Sequence, residues 1–400
     1  MLMFLFLACP SPLLNTARIA YFNQKDFPRA KNACLEGIKT EPNNFEYYTI
    51  LGGCEIALAN WIPAAKALVQ GFEADSAKAM EWIKKQKEGI KYYYQGFYYG
   101  GQQSFEAEKY DDALKYLRYA KMLNPDDARA YILIATIKNK EGDKEAAKKE
   151  WQSALRIDPE NPDVHFLIGD VLFTAQAYDS SLKYFNMAEK YYNRKYDRVT
   201  KILFQNVPEL KEKLVPEIIR LWSAKKYDEL DNLIKIKLGL EKGFRTLKRN
   251  IEQLYKITDG LSKCYYYTGL AYYNLKKDSL ALKYLKKTLL YKPDDIDALY
   301  FSGEIELVTF KNYSQAMEHF KRITELKEDD FGAWYYYGVC HYHQKKYKKA
   351  IEILEDQVLT RDPKNINAMT YLADAYRQIG NKKKALEYLM KSEQLQKEKK

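Results

Sequence analysis

Residues 94–127 read YQGFYYGGQQSFEAEKYDDALKYLRYAKMLNPDD, and the order of small, bulky and turn-forming residues in this stretch decides the fold. Gly101 is followed twelve residues later by Ala113, and the stretch closes on Asn124-Pro125-Asp126. The same arrangement recurs in both directions. Gly101, Ala135 and Gly169 are 34 and 34 residues apart, and Gly269, Gly303, Gly338 and Ala373 are 34, 35 and 35 apart. A second series of small residues runs Ala30, Ala64, Ala113, Ala147, Ser181, Ala281, Ala316, Ala350 and Ala385, twelve or thirteen residues after the first. A fixed period of this length marks a repeat array, in which each unit covers its neighbour.

Within a unit the apolar spacing is helical. Tyr265, Thr268, Gly269 and Tyr272 share one face, and after a polar turn Ala281, Leu285 and Thr288 share another. Each unit is therefore expected to be a helical hairpin, with the small residues letting two backbones approach and the bulky ones filling the space around them. Many units close on Pro in a polar turn, at Pro42, Pro125, Pro159, Pro293 and Pro363. Proline cannot continue the second helix and pushes the residue before it out of the α region.

On these residues the chain resembles the tetratricopeptide repeat family, whose 34-residue helix–turn–helix unit carries Trp, Leu, Gly, Tyr, Ala, Phe and Pro at set places. Residues 94–127 supply Phe97, Gly101, Ala113, Leu117, Ala120 and Pro125, and residues 331–365 supply Trp334, Gly338, Ala350 and Leu354. Units begin near residues 11, 45, 94, 128, 162, 262, 296, 331 and 366, and a degenerate tenth is expected at 211–244, where Lys225-Lys226-Tyr227-Asp228-Glu229-Leu230 imitates the start of a second helix. The resemblance implies an all-α, right-handed α-solenoid of about nine to ten hairpins. Residues 80–93 read as extra helix. The expected organisation is an N-terminal block at 11–193, a helical connector at 194–261, a C-terminal block at 262–395 and a basic tail at 396–400.

Composition agrees with a folded, non-membrane-spanning repeat. Of 400 residues, 46% are hydrophobic and 30% charged, which excludes a disordered or collagen-like chain, and five Cys exclude a disulfide scaffold. No stretch approaches the ~20 apolar residues a membrane helix needs. The unusual feature is 36 Tyr against 17 Phe and 5 Trp. Tyrosine couples a large contact face to a polar tip, which suits surfaces half buried and half wet.

Residues 1–10 form a separate problem. Met1 to Cys9 is apolar and Cys9 is followed by Pro10-Ser11-Pro12, which resembles the end of a bacterial lipoprotein signal with Cys9 as the lipidated residue. The segment is short and no Lys or Arg precedes the apolar run, unlike the usual signal, so an N-terminal cap over the first repeat is the alternative. The lipoprotein reading implies a protein anchored to a bacterial membrane or periplasmic; the alternative is cytoplasmic. Cys34, Cys54 and Cys340 fall on repeat positions and read as small buried hydrophobes.

Candidate chemistry is sparse. Gly100-Gly101 lacks the spacing and the Lys of a phosphate loop. In Cys340-His341-Tyr342-His343 the two His are two residues apart on a helix and point to different faces, so they are not expected to share a metal. His341 takes an inward-facing aromatic position and reads as core. The chain carries four His and no expected domain outside the array, so no enzyme activity, no metal and no cofactor are expected. The net charge of +11 would suit nucleic acid, but basic and acidic residues alternate, as in Lys144-Glu145 and Lys149-Glu150, the pattern of a solvated helix surface, and no nucleic acid partner is expected. The connector is the most basic region, with sixteen Lys and Arg against ten Asp and Glu.

The resemblance implies that partners lie on a concave face lined by first helices, at the second, fifth, ninth, twelfth and thirteenth positions of each unit. These positions hold Tyr98 in the N-terminal block and Tyr266, Tyr273, Tyr300, Tyr335, Tyr342 and His343 in the C-terminal one, together with Asp297, Glu304 and Asp374. A tyrosine-lined groove of this kind suits an extended polypeptide; the alternative is core filling between units. The Lys and Asn that clamp a chaperone's terminal carboxylate in some members are absent, since the fifth and ninth positions hold Tyr98 and Gln102, Tyr266 and Leu270, or Tyr335 and Val339. The expected function is a non-enzymatic protein-binding scaffold, with a cytoplasmic assembly adaptor or a transport-associated subunit holding a small ligand as alternatives.

Overall fold

The computed structural model describes residues 11–87, 89–239 and 244–398, so the Cys9 lipidation site and the expected signal or cap at 1–10 lie outside the described residues. Among the described residues the chain is all α, with no strand. It divides into two compact units, the first ending at Val164 and the second beginning at His165.

A single backbone feature counts the hairpins. In the turn between first and second helix one residue takes the left-handed conformation, and it recurs at Lys25, Ala59, Glu108, Gly142, Gln176, Lys225, Lys276, Lys311, Lys345 and Gly380. Ten such turns mean ten hairpins among the described residues. Only two of the ten are Gly, the residue that adopts this conformation without strain, so a search for glycine finds few of them. The sixth turn, at Lys225, joins the helices Lys211–Ser223 and Tyr227–Leu238, which makes the degenerate unit a true hairpin.

First helices begin on a polar cap. Asn44, Asp127, Asp295, Asp330 and Asn365 each accept a hydrogen bond from a backbone N–H of the following first turn. These caps satisfy donors that no intrahelical carbonyl reaches, and each contributes about 1 kcal/mol. Second helices more often open on a ring, at Tyr110, Tyr178, Tyr227, Tyr313 and Tyr347, two residues past the left-handed turn.

The irregular spacings have a physical cause. A π-helical segment at Ile305–Thr309 extends a first helix by one residue, which stretches the Gly303–Ala316 interval to thirteen. A second, at Leu354–Leu359, lies in a second helix and stretches Ala350–Ala385 to 35. A third, at Ile19–Gln24, does the same in the first hairpin. One inserted residue widens a single helical turn while the flanking register is kept, so the small residues still meet their neighbours.

Those small residues sit at close approaches. Gly101 faces Leu117, Gly303 faces Phe320 and Gly338 faces Leu354, each across its own hairpin. In the first unit Tyr47, Tyr93, Tyr94 and Phe97 are fully or almost fully buried, and Trp151 fills the fourth hairpin. Burial of such side chains contributes about 1.5–3 kcal/mol each. Two carboxylates buried on the second hairpin's first helix are paired: Arg18 binds Glu46 through Nε and Nη2, both at 2.6 Å, and Lys31 meets Glu55 at 2.8 Å.

The expected domain boundaries at 193 and 261 fall inside helices. Tyr178–Leu203 runs through the first and Phe244–Asn274 through the second. Among the described residues the connector has no separate core: Ile218, Leu230 and Leu254 share one apolar cluster with Phe185, Tyr196 and Tyr265 of the flanking hairpins. Gly260 is a close approach within it, since a Cβ there would strike the ring of Tyr192. The expected extra helix at 80–93 is divided between Ser76–Lys85 and the start of Gly89–Glu106. Cys34, Cys54, Cys264 and Cys340 are all buried free thiols, and burial raises the pKa of each. Cys264, which repeat spacing did not single out, donates Sγ–H to the Phe185 carbonyl at 3.1 Å.

Candidate docking face of the first helices

In the second unit the hairpin positions place Tyr266, Tyr273, Tyr300, Tyr335, Tyr342 and His343 on successive first helices, each partly buried. Their hydroxyls are not idle. Tyr273 donates to Glu304 at 3.0 Å, Tyr300 donates to Asp330, and Tyr342 donates to Asp374. In each case the acceptor is about one repeat further along the chain, so the bond ties neighbouring units together on this face. Burial, followed by the acceptor carboxylate, pushes the phenols of Tyr273 and Tyr342 up to about 12 and raises Tyr300 as well. All three therefore remain neutral donors at physiological pH.

The rings form a continuous aromatic group toward the end of the unit. Tyr371 receives the edges of Tyr342 at 5.0 Å, His343 at 5.9 Å and Tyr335 at 6.2 Å, and Tyr313 stacks on His343 at 4.8 Å. Tyr371 and Tyr313 were not among the expected site residues. The first lies one position from a groove position, and the second is the opening ring of a second helix, a signal visible in the spacing of Tyr110, Tyr178, Tyr227, Tyr313 and Tyr347. Asp330 was also missed, because its role comes from capping a helix and not from helical periodicity. Asp374 carries a second partner, Arg377, and both the Tyr342 hydroxyl and that guanidinium hold its carboxyl below the usual range.

Tyr98 belongs to the first unit and is not part of this group. It stacks on Tyr94 with centroids 5.8 Å apart, and Arg129 lies over its face at 4.9 Å. Tyr266 packs edge-on against Tyr267 at 5.4 Å, and burial followed by Asp297 and Asp295 raises its pKa.

The two neighbouring histidines diverge as helix geometry requires. His341 is buried edge-on against Tyr337 at 4.8 Å with neither ring nitrogen hydrogen-bonded, and burial followed by Lys346 and Lys349 lowers its pKa. His343 faces the tyrosines instead. Among the described residues no group of three or more His, Cys, Asp or Glu could hold a metal ion, and no helix is long and apolar enough to cross a membrane.

Sequence models of the tetratricopeptide repeat match residues 307–366 and 367–399, and a third, described as TPR repeat, matches residues 135–176. The chain carries tetratricopeptide repeats. Repeats of this family are generally non-catalytic protein–protein interaction modules, and their presence supports an interaction scaffold. No protein of curated function matches it in sequence. Among solved structures it is similar to YrrB, described as a TPR protein with an unusual peptide-binding site, at 16% identity, covering 62% of this chain and 92% of that one with a TM-score of 0.42. It is also similar to pilF of Pseudomonas aeruginosa at 13% identity, covering 76% and 91% with a TM-score of 0.38. MamA of Desulfovibrio magneticus RS-1 is similar at 22% identity, covering 38% and 90% with a TM-score of 0.33.

Proposed function

We propose that this repeat protein holds a polypeptide segment of its partner along the first helices of its second unit. Tyr266, Tyr273, Tyr300, Tyr335, Tyr342 and His343 would make the contacts, and Tyr98 would act only on the first unit's own surface. The observation that carries this reading is the set of inter-repeat bonds from Tyr273, Tyr300 and Tyr342 to Glu304, Asp330 and Asp374. They fix the rings before a ligand arrives, so little side-chain entropy is lost on binding. Replacing Tyr266 and Tyr335 together by Ala should weaken partner capture from native membranes by about 2 kcal/mol or more, the range of tyrosine hot spots. Helical circular dichroism should be unchanged. Full capture by the folded double variant would contradict the proposal.

Attachment to a bacterial membrane through Cys9 belongs to the same proposal and is supported by Ala8-Cys9 at the end of an apolar run. Labelled fatty acid should enter the chain and be lost in Cys9→Ala; an unlabelled chain would refute the anchor and leave the docking face untouched.

A further inference from the structure

We infer that the second unit takes a basic segment of its partner, with an arginine guanidinium lodged against Tyr300 and Asp330. The inference rests on the docking role proposed above and names the chemistry of the occupant.

The first unit already contains such a contact within the chain. Arg129, the second residue of the helix Ala128–Lys140, lies over the rings of Tyr98 and Tyr94 at 4.9 and 5.3 Å. Its Nε and Nη2 grip the two oxygens of Asp127 at 3.0 and 2.6 Å. The fork of a guanidinium matches a carboxylate edge to edge, and its flat face stacks on a ring, so Arg meets both demands where Lys meets one.

The same two partners stand in the second unit. Tyr98 and Tyr300 both occupy the fifth position of their units. Asp127 and Asp330 both cap the first helix of the next unit, accepting a backbone N–H at 3.0 Å from Arg129 and Ala333 respectively. The difference is two residues past the cap, where Arg129 of the first unit corresponds to Gly332. A Cβ on Gly332 would stand 3.1 Å from the Tyr300 hydroxyl and 3.3 Å from Asp330 Oδ1, so glycine leaves the pair uncovered. Asp330 uses Oδ1 on Tyr300 and Ala333, while Oδ2 meets Lys327 only at 3.7 Å.

The surrounding charge favours a cation. Asp297 and Glu304 lie on the same first helix as Tyr300, Ile296–Glu304, and neither has a Lys or Arg at ion-pair distance among the described residues. Other cations of this face are engaged, Arg377 with Asp374 and Lys276 over the ring of Tyr273 at 5.6 Å. An acidic or neutral segment would leave these carboxylates facing it uncompensated.

The test uses the full chain and a fluorescein-labelled peptide, Gly-Ser-Arg-Gly-Ser-Arg-Gly-Ser, beside the same peptide with citrulline, the uncharged isostere, for arginine. At low ionic strength the arginine peptide should bind about tenfold tighter or better by fluorescence anisotropy. That preference should largely vanish in Gly332→Arg, whose own guanidinium would cover Tyr300 and Asp330 as Arg129 covers Tyr98 and Asp127. If Gly332→Arg loses helical circular dichroism, Tyr300→Phe combined with Asp330→Asn makes the same comparison. Equal affinity for the two peptides, or a preference unchanged in the folded variants, would overturn the inference. Should that happen while Tyr266→Ala with Tyr335→Ala still abolishes partner capture, the docking face stands and only the basic occupant falls.

Discussion

At the residue scale the small side chains decide how closely hairpins approach, and their surroundings are unequal. An alanine Cβ at Gly100 would stand 2.5 Å from Ala65 Cβ and 2.8 Å from the backbone oxygen of Trp61, neither of which can swing away. At Gly338 the nearest atoms are the side-chain tip of Leu354 at 2.9 Å. Gly100→Ala should therefore cost about 1–3 kcal/mol as overpacking, whereas Gly338→Ala should change stability by about 1 kcal/mol or less, because repacking is offset by alanine's helix propensity. Urea unfolding midpoints of the two variants check the order, and equal midpoints would contradict it. The sequence identified the positions of this kind, since Gly101, Gly303 and Gly338 are spaced by the repeat. It did not reveal Asp330, Tyr313 or Tyr371, because a cap and a ring from a neighbouring helix join the face through tertiary contact and carry no helical period.

At the scale of the element, the left-handed turn residue is the repeated cost of the architecture. A non-glycine residue in this conformation is strained by about 1–2 kcal/mol, and Lys345 bears it at φ 61° where Gly142 and Gly380 stand in the equivalent turns. Lys345→Gly should stabilise the chain by about 0.5–1 kcal/mol after the added backbone entropy is subtracted; a lower thermal midpoint would count against this account of the turn. Nine hairpins were readable from small-residue spacing, and the degenerate tenth, which lacks those residues, from Lys225-Lys226-Tyr227-Asp228-Glu229-Leu230. Element ends were not. The connector's helices extend through residues 193 and 261 because Tyr192, Tyr196 and Tyr265 continue the apolar face past the last small residue, so a boundary drawn where the repeat signature fades falls within a helix.

At the scale of the whole molecule, the tyrosines impose a pH limit. Burial is the leading cause that pushes Tyr116, Tyr273, Tyr284 and Tyr342 up to about 12 from an ordinary 10.0. A folded pKa above the unfolded one means that the contribution is complete below pH 10 and is lost as pH rises through about 12. Helical circular dichroism should thus hold to about pH 10 and fall steeply above it, with phenolate absorbance rising in step. Tyrosine ionisation completed at pH 10 without loss of helix would show that these rings are not held as described. The central claim is that a polypeptide lies on the first helices of the second unit, and site-specific photo-crosslinking tests it most directly. Benzoylphenylalanine placed at exposed Thr370, on a first helix, should crosslink to a polypeptide partner, whereas the same group at exposed Lys348, on a second helix, should not. Crosslinking from position 348 and none from 370 would contradict the account.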